Sequence, residues 1–174
     1  KPILCEAEDK LGGQFILAGL APRKKEMKDA AEHRGRQAEK EGVDIRLNTR
    51  VTPALIDEIK PDAVVNATGA SPIKLNVPGA DLPNVYEYIG ILTGVDAPKG
   101  SVVVVGGGLV GLETAEYLLD KGNRVTIIEM LPEVGADLGT TRKVHVLEVL
   151  GMAGVQMLTD TKCKAITVPG VVVE

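Results

Sequence analysis

Residues 100–129 read GSVVVVGGGLVGLETAEYLLDKGNRVTIIE, and this segment decides the fold. A run of valines leads into a cluster of glycines, a stretch of helix-forming residues follows, and a second apolar run ends on Glu129. Continuous valines without polar alternation are typical of a parallel strand that is covered on both faces. The segment therefore predicts a strand, a tight loop, a helix and a second, parallel strand.

The glycines of this segment have the spacing of a dinucleotide-binding loop. In the pattern G-x-G-x-x-G the first glycine allows a sharp turn, the second lets a pyrophosphate approach the backbone, and the third lets the helix pack closely on the strand. The free N–H groups and the dipole of the helix start then favour phosphate. We predict that the loop binds a dinucleotide, and the alternative is a purely structural turn. The predicted residues are Gly106, Gly107, Gly108, Leu109, Val110 and Gly111.

Glu129 bears on which dinucleotide binds. It ends the second strand about 20 residues after the loop, where a carboxylate accepts hydrogen bonds from the ribose hydroxyls of NAD and repels the 2′-phosphate of NADP. The next residues, Met130 and Leu131, supply no arginine for that phosphate. The sequence therefore favours NADH over NADPH. The alternative is an ordinary solvated acid at a strand end.

The composition of the 174-residue chain indicates an α/β protein. Hydrophobic residues make up 44% of the chain and aromatic residues only 2%, so the core must be built from aliphatic side chains. The formal net charge is −4 and basic residues alternate with acids, which argues against nucleic acid or an acidic membrane as a partner.

The two cysteines, Cys5 and Cys163, show neither C-x-x-C spacing nor a nearby histidine pair. This pattern argues against a redox dithiol and a zinc site, so we expect no metal site and interpret each cysteine as a small buried hydrophobic residue. We expect no signal peptide, and the sequence contains no apolar run of the ~20 residues that a membrane helix needs. We therefore expect a cytoplasmic protein.

The first half of the chain repeats part of the second half's design. In KPILCEAEDKLGG an apolar strand ends on Glu6 and an acidic turn then reaches glycine, much as in TIIEMLPEVGAD around Glu129. If Glu129 belongs to a nucleotide site, Glu6 is its counterpart in another. Between the two segments the pattern predicts a charged helix at 22–42, a strand at 43–51, a short helix at 53–60, a buried strand within 62–72 that stops at Thr68-Gly69, and a short segment at 86–94. After them it predicts a helix at 140–154 and short strands at 156–160, 163–167 and 171–174.

With both segments in view, the chain resembles the nucleotide-binding part of the flavin oxidoreductases related to 2,4-dienoyl-CoA reductase and clostridial enoate reductase. The matching stretches are LCEAEDKLGGQ, GVDIRLNTRV, KPDAVVNATGASP and the glycine-loop segment, in the family's order. The resemblance implies a Rossmann-like two-lobe FAD/NAD(P)-binding fold with parallel sheets. Residues 1–95 would form a partial FAD lobe whose first strand and phosphate loop are missing, and residues 96–174 an NAD(P)H lobe with an incomplete C-terminus.

The resemblance also implies residues that contact FAD. Glu6 would hold a ribose, and Val51 would lie at the adenine. The other implied residues are Gly12, Gly13 and Gln14 near the flavin-side backbone, and Ala67, Thr68 and Gly69 at the lobe junction. Glu113 either faces the flavin and nicotinamide or is a solvent-facing acid in the first turn of its helix. Without its phosphate loop, we expect the isolated chain to hold FAD weakly or not at all.

These observations predict the electron-input module of a flavin-dependent oxidoreductase. NADH would pass hydride to FAD, and the electrons would continue through a 4Fe-4S cluster and FMN in an upstream barrel to an enoyl- or dienoyl-type double bond. The steps after FAD, and the barrel as partner, are implied by the resemblance alone, and no catalytic residue is assigned to this chain. One alternative is an NADH oxidase or disulfide-reductase-type flavoprotein, and another is a non-catalytic lobe that binds a dinucleotide or ADP as a scaffold. Homo-oligomer formation stays open.

Overall fold

A computed structural model describes all residues from 1 to 174 and divides them into two compact units, Lys1–Pro72 and Ile73–Glu174. We call these the N-terminal unit and the C-terminal unit. Both combine helices with a parallel sheet, so the predicted α/β class with parallel sheets is confirmed. None of the helices has the length and apolar character that crossing a bilayer requires.

The N-terminal unit is built on two short strands that pair in parallel, with Ile3 opposite Asp44. Its elements are β1 (Ile3–Cys5), α1 (Gly13–Ala18), α2 (Lys25–Lys40), β2 (Asp44–Arg46) and α3 (Pro53–Ile59). The charged helix α2 begins later than predicted because Arg23 has a positive φ of 61°, which a helix does not allow. Only Ala21 and Ala31 are buried hydrophobic residues here, so the unit has a small core.

The segment 62–72 differs from its prediction. It forms no strand, and its apolar side chains are exposed, Val65 to 88%. A buried strand needs a neighbour that satisfies its N–H and C=O groups, whereas β1 and β2 pair only with each other. The prediction of a buried strand at 62–72 is therefore wrong for this structure.

The C-terminal unit contains the predicted strand, loop, helix and strand. Three parallel strands pair in the order β3-β4-β5, and an antiparallel hairpin of β6 and β7 follows. The elements are α4 (Tyr88–Thr93), β3 (Ser101–Val105), α5 (Leu109–Asp120), β4 (Arg124–Ile128), α6 (Thr140–Met152), β5 (Gln156–Leu158), β6 (Cys163–Thr167) and β7 (Gly170–Val173). The predicted parallel pairing of the two strands around the glycine loop is confirmed.

The core of this unit lies among its helices and β4, and it is aliphatic as the composition predicts. Its buried members are Ile91, Leu112, Ala115, Leu118, Val125, Ile127, Val134, Val146, Leu150 and Val155. Val102 and Val104 of β3 pack against this core, whereas Val103 and Val105 are exposed. The prediction that β3 is covered on both faces is therefore wrong, because successive side chains of a strand point to opposite faces and the face with Val103 and Val105 stays exposed.

The boundary between the compact units falls earlier than the predicted lobe boundary at 95/96. Helix α4 explains the difference, because Ile91 and Leu92 are buried in the C-terminal unit and Ile91 belongs to its core. Segment 73–95 is thus structurally part of the C-terminal unit. How the chain divides into nucleotide-binding lobes stays a prediction.

Candidate dinucleotide-binding site

The loop between β3 and α5 requires glycine at its first and last positions. Gly106 has a φ of 103°, in the left-handed region, and its N–H donates to the carbonyl of Ile128 at 2.9 Å. A Cβ at Gly111 would collide with the carbonyl oxygen of Gly106 and lie 3.5 Å from Cγ1 of Val104. Gly106 therefore makes the sharp turn, and Gly111 lets α5 lie directly on β3.

The middle of the loop is held by the segment that follows β4, residues 130–139, which we call the acidic loop. A Cβ at Gly107 would lie 2.6 Å from Cγ1 of Val134, and the carbonyl of Gly107 accepts a hydrogen bond from the N–H of Gly135 at 2.7 Å. Gly108 then caps α5 in an extended conformation. The two loops thus form one packed assembly at the carboxyl end of the sheet.

Glu129 is part of this assembly and not a solvated acid. Its Oε2 accepts a hydrogen bond from the N–H of Gly107 at 2.7 Å, and its Oε1 accepts one from the N–H of Leu131 at 2.8 Å. The residue is only 9% exposed. The alternative of an ordinary solvated acid is therefore wrong, and each carboxylate oxygen keeps a further lone pair for a ribose hydroxyl.

Asp137 is a site residue that the sequence did not reveal. Its carboxylate accepts the N–H of Leu109, at the start of α5, at 3.0 Å to Oδ1 and 3.1 Å to Oδ2. The two residues are 28 positions apart, and no motif or period links them. The only available signal was the acidic character of the loop after β4, which also describes many surface loops.

Two glutamates of α5 are buried below the glycine loop. Glu113 is buried, so the interpretation of a solvent-facing first-turn acid is wrong. Glu116 is 1% exposed and accepts a hydrogen bond from Nη2 of Arg142 at 2.9 Å. This ion pair ties α5 to α6 and fixes the helix whose start would receive phosphate. Val110, by contrast, is exposed on the first turn.

The arrangement fits a ligand with phosphate groups. The start of α5, a helix of 12 residues, supplies backbone N–H donors and the positive end of a helix dipole. Open space lies beside Gly106, where a Cβ would have no heavy atom within 4 Å, and the buried Glu129 lies close to the same loop. Once the Asp137 carboxylate gives up the N–H of Leu109, the site can hold a pyrophosphate and a ribose next to each other.

The residues that were predicted to contact FAD form two groups in the N-terminal unit. In the first, the N–H of Glu6 donates to the carbonyl of Arg46 at 2.9 Å, and the N–H of Thr49 donates to the carbonyl of Glu6 at 2.7 Å. These bonds place Glu6 beside the loop that leads to the exposed Val51. The Glu6 side chain accepts the N–H of Glu8 at 2.9 Å.

The second group lies around α1. Nε2 of Gln14 donates to the carbonyl of Ala70 at 2.7 Å, so residues 12–14 lie against residues 69–70. Gly12 has a φ of 114°, and a Cβ there would lie 2.6 Å from Cγ1 of Ile16, so this position requires glycine. Gly13 and Gly69 also have positive φ, while Ala67 and Thr68 lie in the exposed segment before Gly69. The structure thus brings the predicted residues together in two separate groups. Their role in binding FAD stays a prediction.

The two cysteines are free. Cys163 is buried, and this burial raises the pKa of its thiol, which disfavours the reactive thiolate. Cys5 is half-buried on β1. Cys163 therefore behaves as the predicted small hydrophobic residue.

Known proteins place this geometry in a family. Residues 54–174, which include the whole glycine loop and Glu129, match the family described as pyridine nucleotide-disulphide oxidoreductase. The chain is 37% identical over 172 residues to the bilirubin reductase of Mediterraneibacter gnavus, covering 99% of this chain and 27% of that protein. It is 34% identical over 161 residues to the NADH oxidase of Thermoanaerobacter brockii, covering 90% of this chain and 25% of that protein.

A solved structure shows the same fold. The complex of 2-naphthoyl-CoA reductase with 2-naphthoyl-CoA superposes with a TM-score of 0.89 at 25% identity, covering 99% of this chain and 26% of that one. The chain thus spans about a quarter of the length of the relatives it matches. The predicted Rossmann-like fold and the resemblance to flavin-dependent reductases are both confirmed. The chain belongs to the pyridine nucleotide-disulphide oxidoreductase family.

Proposed function

We propose that the chain is the electron-input module of an NADH-dependent flavin oxidoreductase. The observation that carries this proposal is the bond between Oε2 of Glu129 and the N–H of Gly107, which joins the ribose acid to the phosphate loop in one buried unit. Membership in a family of pyridine nucleotide oxidoreductases supports it.

Each part of the site has a role in binding NADH. The N–H groups of Leu109 and Val110 would bind the pyrophosphate, and Glu129 would accept hydrogen bonds from the adenosine ribose. Gly106 and Gly111 hold the loop and helix in position. When bound, NADH would supply a hydride and FAD would accept it, while the residues of this chain would bind and orient the dinucleotide.

The geometry of Glu129 supports the preference for NADH. Two backbone N–H groups hold its carboxylate, so it cannot turn away from a 2′-phosphate without leaving Gly107 and Leu131 without their acceptor. NADPH would therefore bring its additional charge next to a fixed, buried carboxylate. Glu129→Gln removes the negative charge of the carboxylate. We therefore expect the affinity for NADH to fall about tenfold and the ratio of the NADH and NADPH dissociation constants to come closer to one.

For FAD, we propose contacts with Glu6, residues 12–14, Val51 and residues 67–69. The N-terminal unit offers no glycine loop that opens a long helix, since α1 has only six residues. The isolated chain should therefore lose FAD during gel filtration. Stoichiometric FAD that stays bound through the column would contradict this expectation.

We further propose that the electrons leave this module for an iron-sulfur cluster and FMN in a barrel of the same protein, and reduce an activated double bond there. The names of two matched proteins, a bilirubin reductase and a 2-naphthoyl-CoA reductase, support a reductase of organic substrates. A relative named NADH oxidase supports a second candidate, in which the electrons go to oxygen. Rapid NADH consumption in air without any organic acceptor would favour this second candidate.

An anaerobic titration of the full-length protein tests the proposal. NADH at low concentration should bleach the flavin absorbance, whereas NADPH should need a much higher concentration. In Glu129→Gln the two nucleotides should become more alike. A spectrum that NADH leaves unchanged would favour the non-catalytic scaffold, and a preference for NADPH would show that Glu129 does not select the cofactor.

A further inference from the structure

A carboxylate of the chain itself, that of Asp137, is already hydrogen-bonded to the start of α5. Both oxygens of the Asp137 carboxylate lie within 3.1 Å of the N–H of Leu109. A Cβ at Gly108 would lie 3.1 Å from Oδ2 of the same carboxylate. Gly108 has no side chain, and Asp137 therefore fills the space beside it.

This position matters because it is where a dinucleotide needs to place its phosphates. In the function proposed above, the pyrophosphate accepts hydrogen bonds from the first N–H groups of α5. A carboxylate and a pyrophosphate cannot both accept the N–H of Leu109 without close contact between like charges. Repulsion between charges a few ångströms apart changes binding constants many-fold near a protein surface.

The acidic loop fixes the backbone around Asp137, whereas the side chain of Asp137 can rotate away from α5. The loop is anchored by the buried Val134, by the bond from Gly135 to Gly107, and by an ion pair of 2.7 Å between Glu133 and Lys143. Asp137 itself is exposed. Rotation of its side chain into water therefore breaks its bond to Leu109 without disturbing the packed part of the loop.

We infer that Asp137 competes with the dinucleotide pyrophosphate for the start of α5 and thereby weakens nucleotide binding and speeds nucleotide release. The inference rests on the proposed function, because it concerns the same site. Glu129 differs from Asp137, since it is buried, bonds Gly107 and would stay in place beside the ribose. A module that takes hydride from one nucleotide after another benefits from a bound nucleotide that leaves quickly.

The test compares the affinities of Asp137→Asn and the unchanged chain for NADH, ADP and adenosine. Asparagine keeps an acceptor for the N–H of Leu109 and removes only the charge. We expect the dissociation constants of NADH and ADP to fall about fivefold at low ionic strength, while that of adenosine, which has no phosphate, stays unchanged. The gain should shrink as salt is added.

The control is Glu148→Gln, which removes one exposed negative charge from α6, outside both the glycine loop and the acidic loop. It should change the NADH dissociation constant by less than about twofold, because its exposed charge is screened. Thermal unfolding of ligand-free Asp137→Asn supplies a second readout. Its midpoint should fall slightly, because the helix start loses a favourable charge, although nucleotide binding becomes tighter.

Several outcomes would overturn the inference. If NADH and ADP bind folded Asp137→Asn with the same affinity as the unchanged chain, or more weakly, Asp137 is only a structural cap of α5. A gain for adenosine as large as that for ADP would show that phosphate charge is not involved. If NADH binds the unchanged protein but Asp137→Asn gives no gain, this inference alone fails, whereas absence of NADH binding to either folded protein removes the proposed function as well. Asp137→Ala should give the same gain and serves if the asparagine variant does not fold.

Discussion

Gly111 has no Cβ, and this absence lets α5 pack closely on β3. In Gly111→Ala the new methyl group would meet the carbonyl oxygen of Gly106, a backbone atom that cannot turn aside. The helix must shift away from the strand, so we expect the free energy of unfolding to fall by about 1–3 kcal/mol. Urea denaturation of the two proteins measures this difference.

Gly151 of α6 is the matched control. It is exposed within a helix, and a Cβ there would have no heavy atom within 4 Å. Gly151→Ala should therefore be neutral or stabilise the chain by up to about 1 kcal/mol. Equal stability of Gly111→Ala and the unchanged chain would contradict the close packing of α5 on β3.

Single side chains also show where the sequence was informative. Gly106 and Gly111 could be assigned their roles because the spacing of glycines near a strand end reflects local backbone needs. Asp137 could not be found, because its contact with Leu109 joins positions that only the fold brings together. Burial of Glu113 was also not decided by the sequence, since an acid in a first turn commonly faces water.

Helices α5 and α6 are joined by the ion pair of Glu116 and Arg142. Glu116 is 1% exposed, so its carboxylate depends on charged and polar neighbours within the protein. Arg142→Met removes the guanidinium from this buried acid and should lower the free energy of unfolding by about 3 kcal/mol. Chemical denaturation checks the value.

Two further variants make this prediction specific. The double variant Glu116→Leu with Arg142→Met removes both charges and should recover most of the lost stability, because an apolar pair carries no desolvation cost. Lys25→Met breaks the exposed pair with Asp29 in α2 and should have little measurable effect. A double variant as unstable as Arg142→Met alone would show that the ion pair is not the cause.

Elements whose sequence pattern lies within one continuous stretch were predicted well. Elements that depend on a neighbour from a distant part of the chain were not. The valine run, the glycine loop and the apolar run before Glu129 lie next to one another, and β3, α5 and β4 follow them closely. Segment 62–72 has the composition of a strand but no neighbouring strand, so it forms no strand and stays exposed. Helix α1 was missed because two glycines precede only a few apolar residues, which do not show a helical period.

The two compact units should differ in their ability to fold alone. All members of the buried hydrophobic core cluster lie in Ile73–Glu174, whereas Lys1–Pro72 buries only two alanines as apolar residues. A fragment of residues 73–174 should therefore unfold cooperatively, and a fragment of residues 1–72 should not. Circular dichroism during thermal unfolding measures both.

A third fragment, residues 96–174, tests the position of the boundary. It lacks α4 and with it the buried Ile91 and Leu92, so it should be less stable than residues 73–174 by about 2–5 kcal/mol. Equal stability of these two fragments would show that α4 does not stabilise the C-terminal unit, which would agree with the lobe boundary predicted from the sequence.

Every other step of the proposed function requires that the loop between β3 and α5 binds NADH. A titration of the isotope-labelled chain with NADH, followed through its backbone amide resonances, tests it most directly. We predict that the largest shifts fall on residues 106–111, with further changes at Glu129 and in the acidic loop around Asp137. Unchanged spectra of the folded chain at millimolar NADH, or shifts that avoid the glycine loop, would show that NADH does not bind at this loop.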